Sequence, residues 1–323
     1  MDGKNLRIVF MGTPGFAVES LKALVESGCN VVGVITAPDK PAGRGQKLSQ
    51  SAVKEYALEK GLRVLQPEKL KSPDFIEELQ KLKADLQVVV AFRMLPEIVW
   101  DMPPLGTFNL HASLLPLYRG AAPLNWAIIN GESQSGVTTF KLQHEIDTGN
   151  IIFQEKVDIG PDDNVEVLHD KLMETGAALV TKTVDALAEG KVNFISQDEL
   201  IGKGHETKHA PKIFKDDCKI DWTKDAQTIK NLIRGLSPYP AAWTELNSEK
   251  HKNTTMKIYR AETENAAYEI KPGSIYSDGK TFMKIGAQNG WVSIKELQLS
   301  GKKRMPVDEF LRGFQQAEEY KAE

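Results

Sequence analysis

Leu6-Arg7-Ile8-Val9-Phe10-Met11-Gly12-Thr13-Pro14-Gly15-Phe16 is the stretch on which the fold turns. An apolar run broken only by Arg7 closes on a glycine, as a strand buried on both faces of a parallel sheet does. A helix pattern follows at once, over 16–27. Val18, Leu21, Leu24 and Val25 fall on one face at helical spacing, and Gly28 is the expected stop. Val31-Val32-Gly33-Val34-Ile35 reads as the next strand. The alternation continues to about residue 190. Strands are expected near 62–65, 86–91, 107–111, 136–142 and 151–158, and helices near 50–60, 73–83, 121–130 and 164–189. Such alternation specifies an α/β, Rossmann-like domain with a mostly parallel sheet over 1–190.

Beyond that the pattern loosens. Gly202-Lys203-Gly204-His205-Glu206-Thr207-Lys208-His209-Ala210-Pro211 reads as part of a linker, 191–212. A short helix is expected near 225–235, then strands at 241–247, 255–261, 273–276, 281–286 and 291–299, and a closing helix at 306–314. Asp278-Gly279 and Asn289-Gly290 punctuate them as hairpin turns. Short strands so closely spaced fit a second, smaller domain over 213–323, an OB-like β-barrel.

A chain of 323 residues suits two domains, and 41% hydrophobic with 26% charged residues is the composition of a folded globular protein. No run approaches the ~20 apolar residues of a membrane helix, so no membrane association is expected. The amino terminus lacks the apolar core and cleavage site of a signal peptide. Two distant cysteines, Cys29 and Cys218, build neither a metal site nor a disulfide framework. A reduced, cytoplasmic protein is expected, acting as a monomer without a metal. Residues 1–200 hold 20 basic and 27 acidic side chains, whereas 201–323 hold 21 and 17. The second half is thus the half suited to a polyanion.

The glycine turn after the first strand invites a dinucleotide reading, which its spacing refuses. Gly12-Thr13-Pro14-Gly15 is G-x-x-G, not G-x-G-x-x-G, and the second strand ends in Thr36-Ala37-Pro38 rather than on an acid. Pro14 also removes an amide that a pyrophosphate would use.

The chemistry concentrates in Thr107-Phe108-Asn109-Leu110-His111-Ala112-Ser113-Leu114-Leu115-Pro116-Leu117-Tyr118-Arg119-Gly120. Asn109 and His111 are two apart on a strand, so both side chains leave one face. They lie at its carboxyl end, where open α/β sheets place their ligands. A carboxamide beside an imidazole can hold a carbonyl oxygen that is becoming an oxyanion. Further on, His144-Glu145-Ile146-Asp147-Thr148-Gly149-Asn150 sets Asp147 in a loop between two strands. A carboxylate near His111 would favour the charged imidazole and could receive protons. Taken singly, Asp-Thr-Gly is a turn, and His144 and Glu145 read as solvated loop residues.

The series Asn109-Leu110-His111-Ala112-Ser113-Leu114-Leu115-Pro116-x-x-Arg119-Gly120, followed by Asp147-Thr148-Gly149, resembles the folate-dependent formyltransferase family. The resemblance implies that Asn109, His111 and Asp147 are the catalytic trio and that Ser113, Leu114, Leu115 and Pro116 form the folate-binding turn. It implies 10-formyltetrahydrofolate as the one-carbon donor, with no metal and no covalent enzyme intermediate. Pro38-Asp39-Lys40-Pro41-Ala42-Gly43-Arg44-Gly45-Gln46-Lys47-Leu48 resembles an inserted loop found in members that act on initiator methionyl-tRNA, with Arg44 as its key arginine. Ile220-Asp221-Trp222 and Ser237-Pro238-x-Pro240 resemble landmarks of the same members' C-terminal domain. Arg44, Lys47, Lys212 and Lys215 are therefore expected to meet tRNA, Lys212 and Lys215 in a row with Lys208 and Lys219, joined by Lys302-Lys303-Arg304. One departure stands out. Where the family often has Ala-Tyr-Gly, this chain has Ala91-Phe92-Arg93, which places an arginine in a loop that passes close to the folate.

Overall fold

The amino-terminal run forms the strand Arg7–Gly12, buried beyond Arg7, and the helix Gly15–Glu26 follows it directly. Leu21 and Leu24 are fully buried on that helix, and Phe16, Ala17 and Ser20 complete the face, while Val18 and Val25 are half-buried. Gly28, at φ +79°, ends the turn after it. The structure, a computed structural model, describes residues 3–42, 47–204, 207–266 and 269–323.

The chain divides into two compact units, each assembled from separated segments. The first comprises Met1–Gly120, Ser135–Asp158 and His169–Ala210. Its main sheet runs in the order Ile151–Asp158, Gln134–Lys141, Thr107–His111, Leu86–Val90, Arg7–Gly12, Asn30–Ile35, Val64–Leu65. Thr107–His111, Leu86–Val90, Arg7–Gly12, Asn30–Ile35 and Val64–Leu65 are joined by parallel pairings, and Gln134–Lys141 runs antiparallel to Thr107–His111. This is the mostly parallel, Rossmann-like sheet that the alternation specifies. The central strands Arg7–Gly12 and Leu86–Val90 are apolar apart from Arg7 and Gln87, as suits a sheet whose two faces are both covered by helices.

Two features of this unit were not legible as periodicity. Lys40–Ala42 and Lys47–Ser49 pair antiparallel as a small hairpin within the inserted loop. Leu117–Gly120 pairs in parallel with Lys208–Ala210, and the helix Gln197–Gly202 precedes that second strand. The stretch expected as a linker, 191–212, therefore contains a helix and a strand among its described residues. Its strand is too short to show a period, and its pairing partner lies some ninety residues away in sequence.

The second unit comprises Ala121–Gln134, Ile159–Leu168 and Pro211–Glu323. Its antiparallel sheet is ordered Ile275–Ser277, Met283–Ala287, Gly290–Leu299, Thr254–Asn265, Ala242–Asn247, Lys321–Ala322, with Met305–Pro306 added to Gly290–Leu299. A bridge between Ser274 and Lys321 joins the two ends, so the sheet is nearly closed into a barrel. The five strands expected from sequence are present, with the two-residue strands Met305–Pro306 and Lys321–Ala322 added. The core gathers Trp222, Ile229, Ile233, Leu236, Met256, Ile258, Ile285, Ile294, Leu297 and Leu311, with the helix Ala226–Leu236 contributing one apolar face.

Candidate active site

The strand Thr107–His111 lies inside the first unit's sheet, between Leu86–Val90 and Gln134–Lys141. Register alternation puts Asn109 beside Val89 and Phe140, and His111 beside Thr138, with both side chains on one face. The chain then turns sharply. Ser113 is fully buried and donates from Oγ to the Leu117 carbonyl at 2.6 Å. Thr138 Oγ1 donates to the Ser113 carbonyl at 2.6 Å and accepts from the Leu115 amide at 3.1 Å. Gln154 Nε2 donates to the Leu115 carbonyl at 2.8 Å. Leu115 and Pro116 are buried and Leu114 half-buried. The expected folate-binding turn thus has its hydroxyl and much of its backbone already committed to the protein.

After that turn comes Leu117–Gly120, the strand on which the site is hung. The Tyr118 carbonyl lies 3.0 Å from His111 Nε2. A carbonyl only accepts, so Nε2 carries a proton and donates it there. Two residues on, the Gly120 amide donates to Asp147 Oδ2 at 3.1 Å. Asp147 Oδ2 is also 3.8 Å from His111 Nδ1. That separation makes an ion pair once the ring is charged and is too long for a hydrogen bond. The Tyr118 carbonyl, and not the carboxylate, therefore fixes the imidazole. Phe140 closes the site behind it, edge-on to the His111 ring with centroids 6.5 Å apart.

Glycine is required at two places here. A Cβ on Gly120, at φ +124°, would stand 2.6 Å from the Ala210 carbonyl oxygen, and one on Gly149 would stand 1.7 Å from that of Lys141. The first approach packs the Gly120 strand end against Lys208–Ala210, and the second packs the loop after Asp147 against the end of Gln134–Lys141. Asn109 is half-buried, and its amide has no protein hydrogen-bond partner among the described residues.

Gln197, which the sequence reading passed over, joins the same cluster. Its Oε1 accepts from Arg119 Nε and Nη2 at 3.0 and 2.7 Å, and its Nε2 donates to the carbonyls of Asp147 and Gly149 at 2.9 and 2.7 Å. One glutamine in a polar stretch carries no periodic or motif signal, and only its tertiary partners reveal it.

A hollow of about 490 Å³ opens at the carboxyl ends of the neighbouring strands, lined by Thr13, Ala37, Pro38, Lys40, Glu68, Phe92 and Arg93. Arg93 is not free within it. Its guanidinium donates to the Glu68 carbonyl at 2.8 Å and to that of Pro67, and burial pulls its pKa below the ordinary value. The base of the inserted loop is pinned by Asp39, which accepts from Lys54 Nζ at 2.6 Å and from Gln66 Nε2 at 2.8 Å. These contacts, Lys54 first, hold its carboxyl below the usual range. Arg44 lies outside the described residues, and Lys47 is described only as backbone in its strand.

The other expected cations are divided. Lys208 belongs to the first unit and sits over the Tyr118 ring, while Lys212, Lys215 and Lys219 belong to the second. Lys212 covers Phe214, and Lys215 and Lys219 each lie 5.5 Å from the Trp243 ring centre. Arg304 is paired with both carboxylate oxygens of Glu296, at 2.8 and 2.7 Å, so the Lys302-Lys303-Arg304 triplet offers less free charge than its sequence suggests. His144 is exposed, as a solvated loop residue should be, and meets Glu97 at 3.2 Å. Among the described residues no group of three side chains could hold a metal ion, and no helix is long and apolar enough to cross a membrane.

A family model described as "Formyl transferase" matches residues 6–184, and one described as "Formyl transferase, C-terminal domain" matches residues 212–315. A protein of Parabacteroides distasonis named methionyl-tRNA formyltransferase is 59% identical over 321 residues, 99% of each chain. A protein of the same name from Flavobacterium johnsoniae is 52% identical over 318 residues, 98% of this chain and 99% of that one. Among solved structures, the N-formyltransferase of Helicobacter canadensis in complex with folinic acid and dTDP-3-aminofucose superposes with a TM-score of 0.64. The alignment covers 93% of this chain and 100% of that one at 21% identity, a likeness of fold.

Proposed function

The chain belongs to the formyl transferase family, and from that membership we propose its reaction: transfer of the formyl group of 10-formyltetrahydrofolate to the α-amino group of initiator methionyl-tRNA, giving the N-formylated aminoacyl-tRNA. The substrate assignment is supported by relatives bearing the name methionyl-tRNA formyltransferase at 57–59% identity over 99% of this chain. The observation that carries the chemistry is the state of His111. Its Nε2 is committed to the Tyr118 carbonyl, its Nδ1 is 3.8 Å from Asp147, and the Asn109 side-chain amide, with no protein partner among the described residues, stands two residues away on the same face.

Asn109 and His111 donate toward the negative charge that develops on the formyl oxygen as the amine attacks. With Nε2–H given to a carbonyl, Nδ1 carries a proton only in the imidazolium; that proton is donated to the substrate oxygen, and Asp147, 3.8 Å away, pairs with the charge. The attacking α-amine has an ordinary pKa of ~7.7–8.0, so a useful fraction is neutral near pH 7. Asp147 takes up the proton that the amine sheds, directly or through a water, for return to the leaving folate nitrogen. Ser113, Leu114, Leu115 and Pro116 contribute a fixed backbone shape against the folate rather than a free hydroxyl.

The first compact unit, which includes 169–210, carries this chemistry, and the second, whose largest segment is 211–323, holds the tRNA. Arg44 and Lys47 of the inserted loop, with Lys212 and Lys215, meet its phosphates, which suits their charge and the glycines around Arg44. The protein acts in the cytoplasm, as a monomer. The experiment is formyl transfer from 10-formyltetrahydrofolate to charged initiator tRNA, run beside a sugar-nucleotide amine and an amino-ribonucleotide. Product is expected on the tRNA alone. Faster turnover of either small amine would sink the substrate assignment and leave the family intact.

A further inference from the structure

Four hydrogen bonds converge on Gln197, and the reaction as written above does not use it. The residue is 1% exposed. An amide is the side chain this position needs: its oxygen accepts twice from Arg119 while its nitrogen donates to two carbonyls, Asp147 and Gly149. A carboxylate would keep the first pair and lose the second.

Asp147 stands at φ +56°, in the left-handed region, which a residue with a Cβ occupies only when its surroundings hold it there. Gln197 Nε2 holds its carbonyl on one side, and the Gly120 amide holds its carboxylate on the other. Arg119, immediately before Gly120, is gripped by the opposite end of the same glutamine. The strand so gripped also carries the Tyr118 carbonyl that fixes His111 Nε2. One side chain thus ties together the two segments whose separation sets the distance between the carboxylate and the imidazole.

We propose that Gln197 is a positioning residue for the transfer, fixing the Asp147 carboxylate against His111 by tying the Asp147–Gly149 loop to the strand Leu117–Gly120. The inference rests on the role given to Asp147 above. Steady-state transfer is measured on the full-length protein as Gln197→Ala, Gln197→Glu, Asp147→Asn and the Gln197→Ala/Asp147→Asn double variant, with kcat–pH profiles and thermal unfolding alongside. Both Gln197 variants are expected to lower kcat about 10- to 100-fold, the loss that misplacement of a reacting group causes. The KM for the folate stays near wild type and the kcat–pH profile is displaced. Gln197→Glu does not rescue, because it keeps Arg119 and loses both donors. Where Gln197→Ala fails to fold, Gln197→Glu carries the test. In the Asp147→Asn background Gln197→Ala adds no further loss, since the group it positions is already gone. Wild-type kcat and pH profile in Gln197→Glu, with Asp147→Asn slow, overturns the proposal, as do multiplicative losses in the double variant. Wild-type turnover from Asp147→Asn alone removes the role of Asp147 itself.

Discussion

His111 has one ring nitrogen left to offer a substrate. The other is spent on the Tyr118 carbonyl, which fixes both the tautomer and the direction of the ring. Asn109 is in the opposite condition, an amide at a strand end with its donors unspent among the described residues. In a sheet so thoroughly hydrogen-bonded, that contrast marks where a ligand's oxygen belongs. Asn109→Ala and His111→Ala are each expected to lose ~100-fold or more in kcat, the scale for removing one oxyanion donor. Circular dichroism and the unfolding midpoint should stay near wild type. Turnover like the parent's from either variant would take that residue out of the mechanism. Ser113 shows the reverse lesson. Its place in the motif suggests a ligand contact, yet its hydroxyl closes the turn on Leu117.

At the level of the element, the helix Ala226–Leu236 illustrates how local chemistry supports the barrel unit. Asp225 caps it, accepting from the Thr228 amide at 2.9 Å and from the Thr228 hydroxyl. The side-chain bond from Thr228, and then its amide, hold the Asp225 carboxyl below its ordinary value. A carboxylate whose folded pKa is depressed stabilises the fold above its unfolded pKa of ~3.9. That contribution is lost as pH falls through the lower folded value. Asp225→Ala should therefore cost about 1 kcal/mol at pH 7, read from urea unfolding of the full chain. The gap between the two proteins should close as the pH falls below ~3.9. A gap that persists unchanged in acid would mean that the loss lies in packing rather than in the cap.

Over the whole molecule, neither unit is a continuous stretch. The second takes in 121–134 and 159–168 as well as 211–323. Within it, Asn125 Nδ2 donates to the Gly235 carbonyl at 2.7 Å, and Arg234 donates to the carbonyls of Gly160 and Asp163. Cutting the chain near residue 205 would strip the helix Pro123–Ile129 of its partner, so tRNA binding is better probed by charge than by truncation. Each lysine that neutralises a phosphate releases counterions, and log K falls with log salt in proportion. Lys212→Ala with Lys215→Ala, in the full-length protein, should weaken tRNA binding and reduce the salt slope by up to about 2. An unaltered slope would free both residues from the interface. Since each lies over an aromatic ring, their binding loss should be read together with the thermal midpoint.

Sequence alone determined the element types and the chemistry of the motif. Period-2 and period-3.6 patterns, together with glycine stops, are local consequences of backbone geometry, so Arg7–Gly12, Gly15–Glu26 and the barrel hairpins could be read directly. The motif from Asn109 to Gly120 was legible for the same reason, since strand alternation alone puts Asn109 and His111 on one face. Tertiary structure decided what those groups are free to do. The commitment of His111 Nε2 to Tyr118, of Ser113 to Leu117, of Arg93 to Pro67 and Glu68, and of Arg304 to Glu296 all depend on partners that no spacing rule names. Gln197 is the extreme case: its partners lie roughly fifty and eighty residues away. A hydrogen bond is satisfied by distance and angle in space, and the chain brings those donors and acceptors together only when the sheet has closed around them.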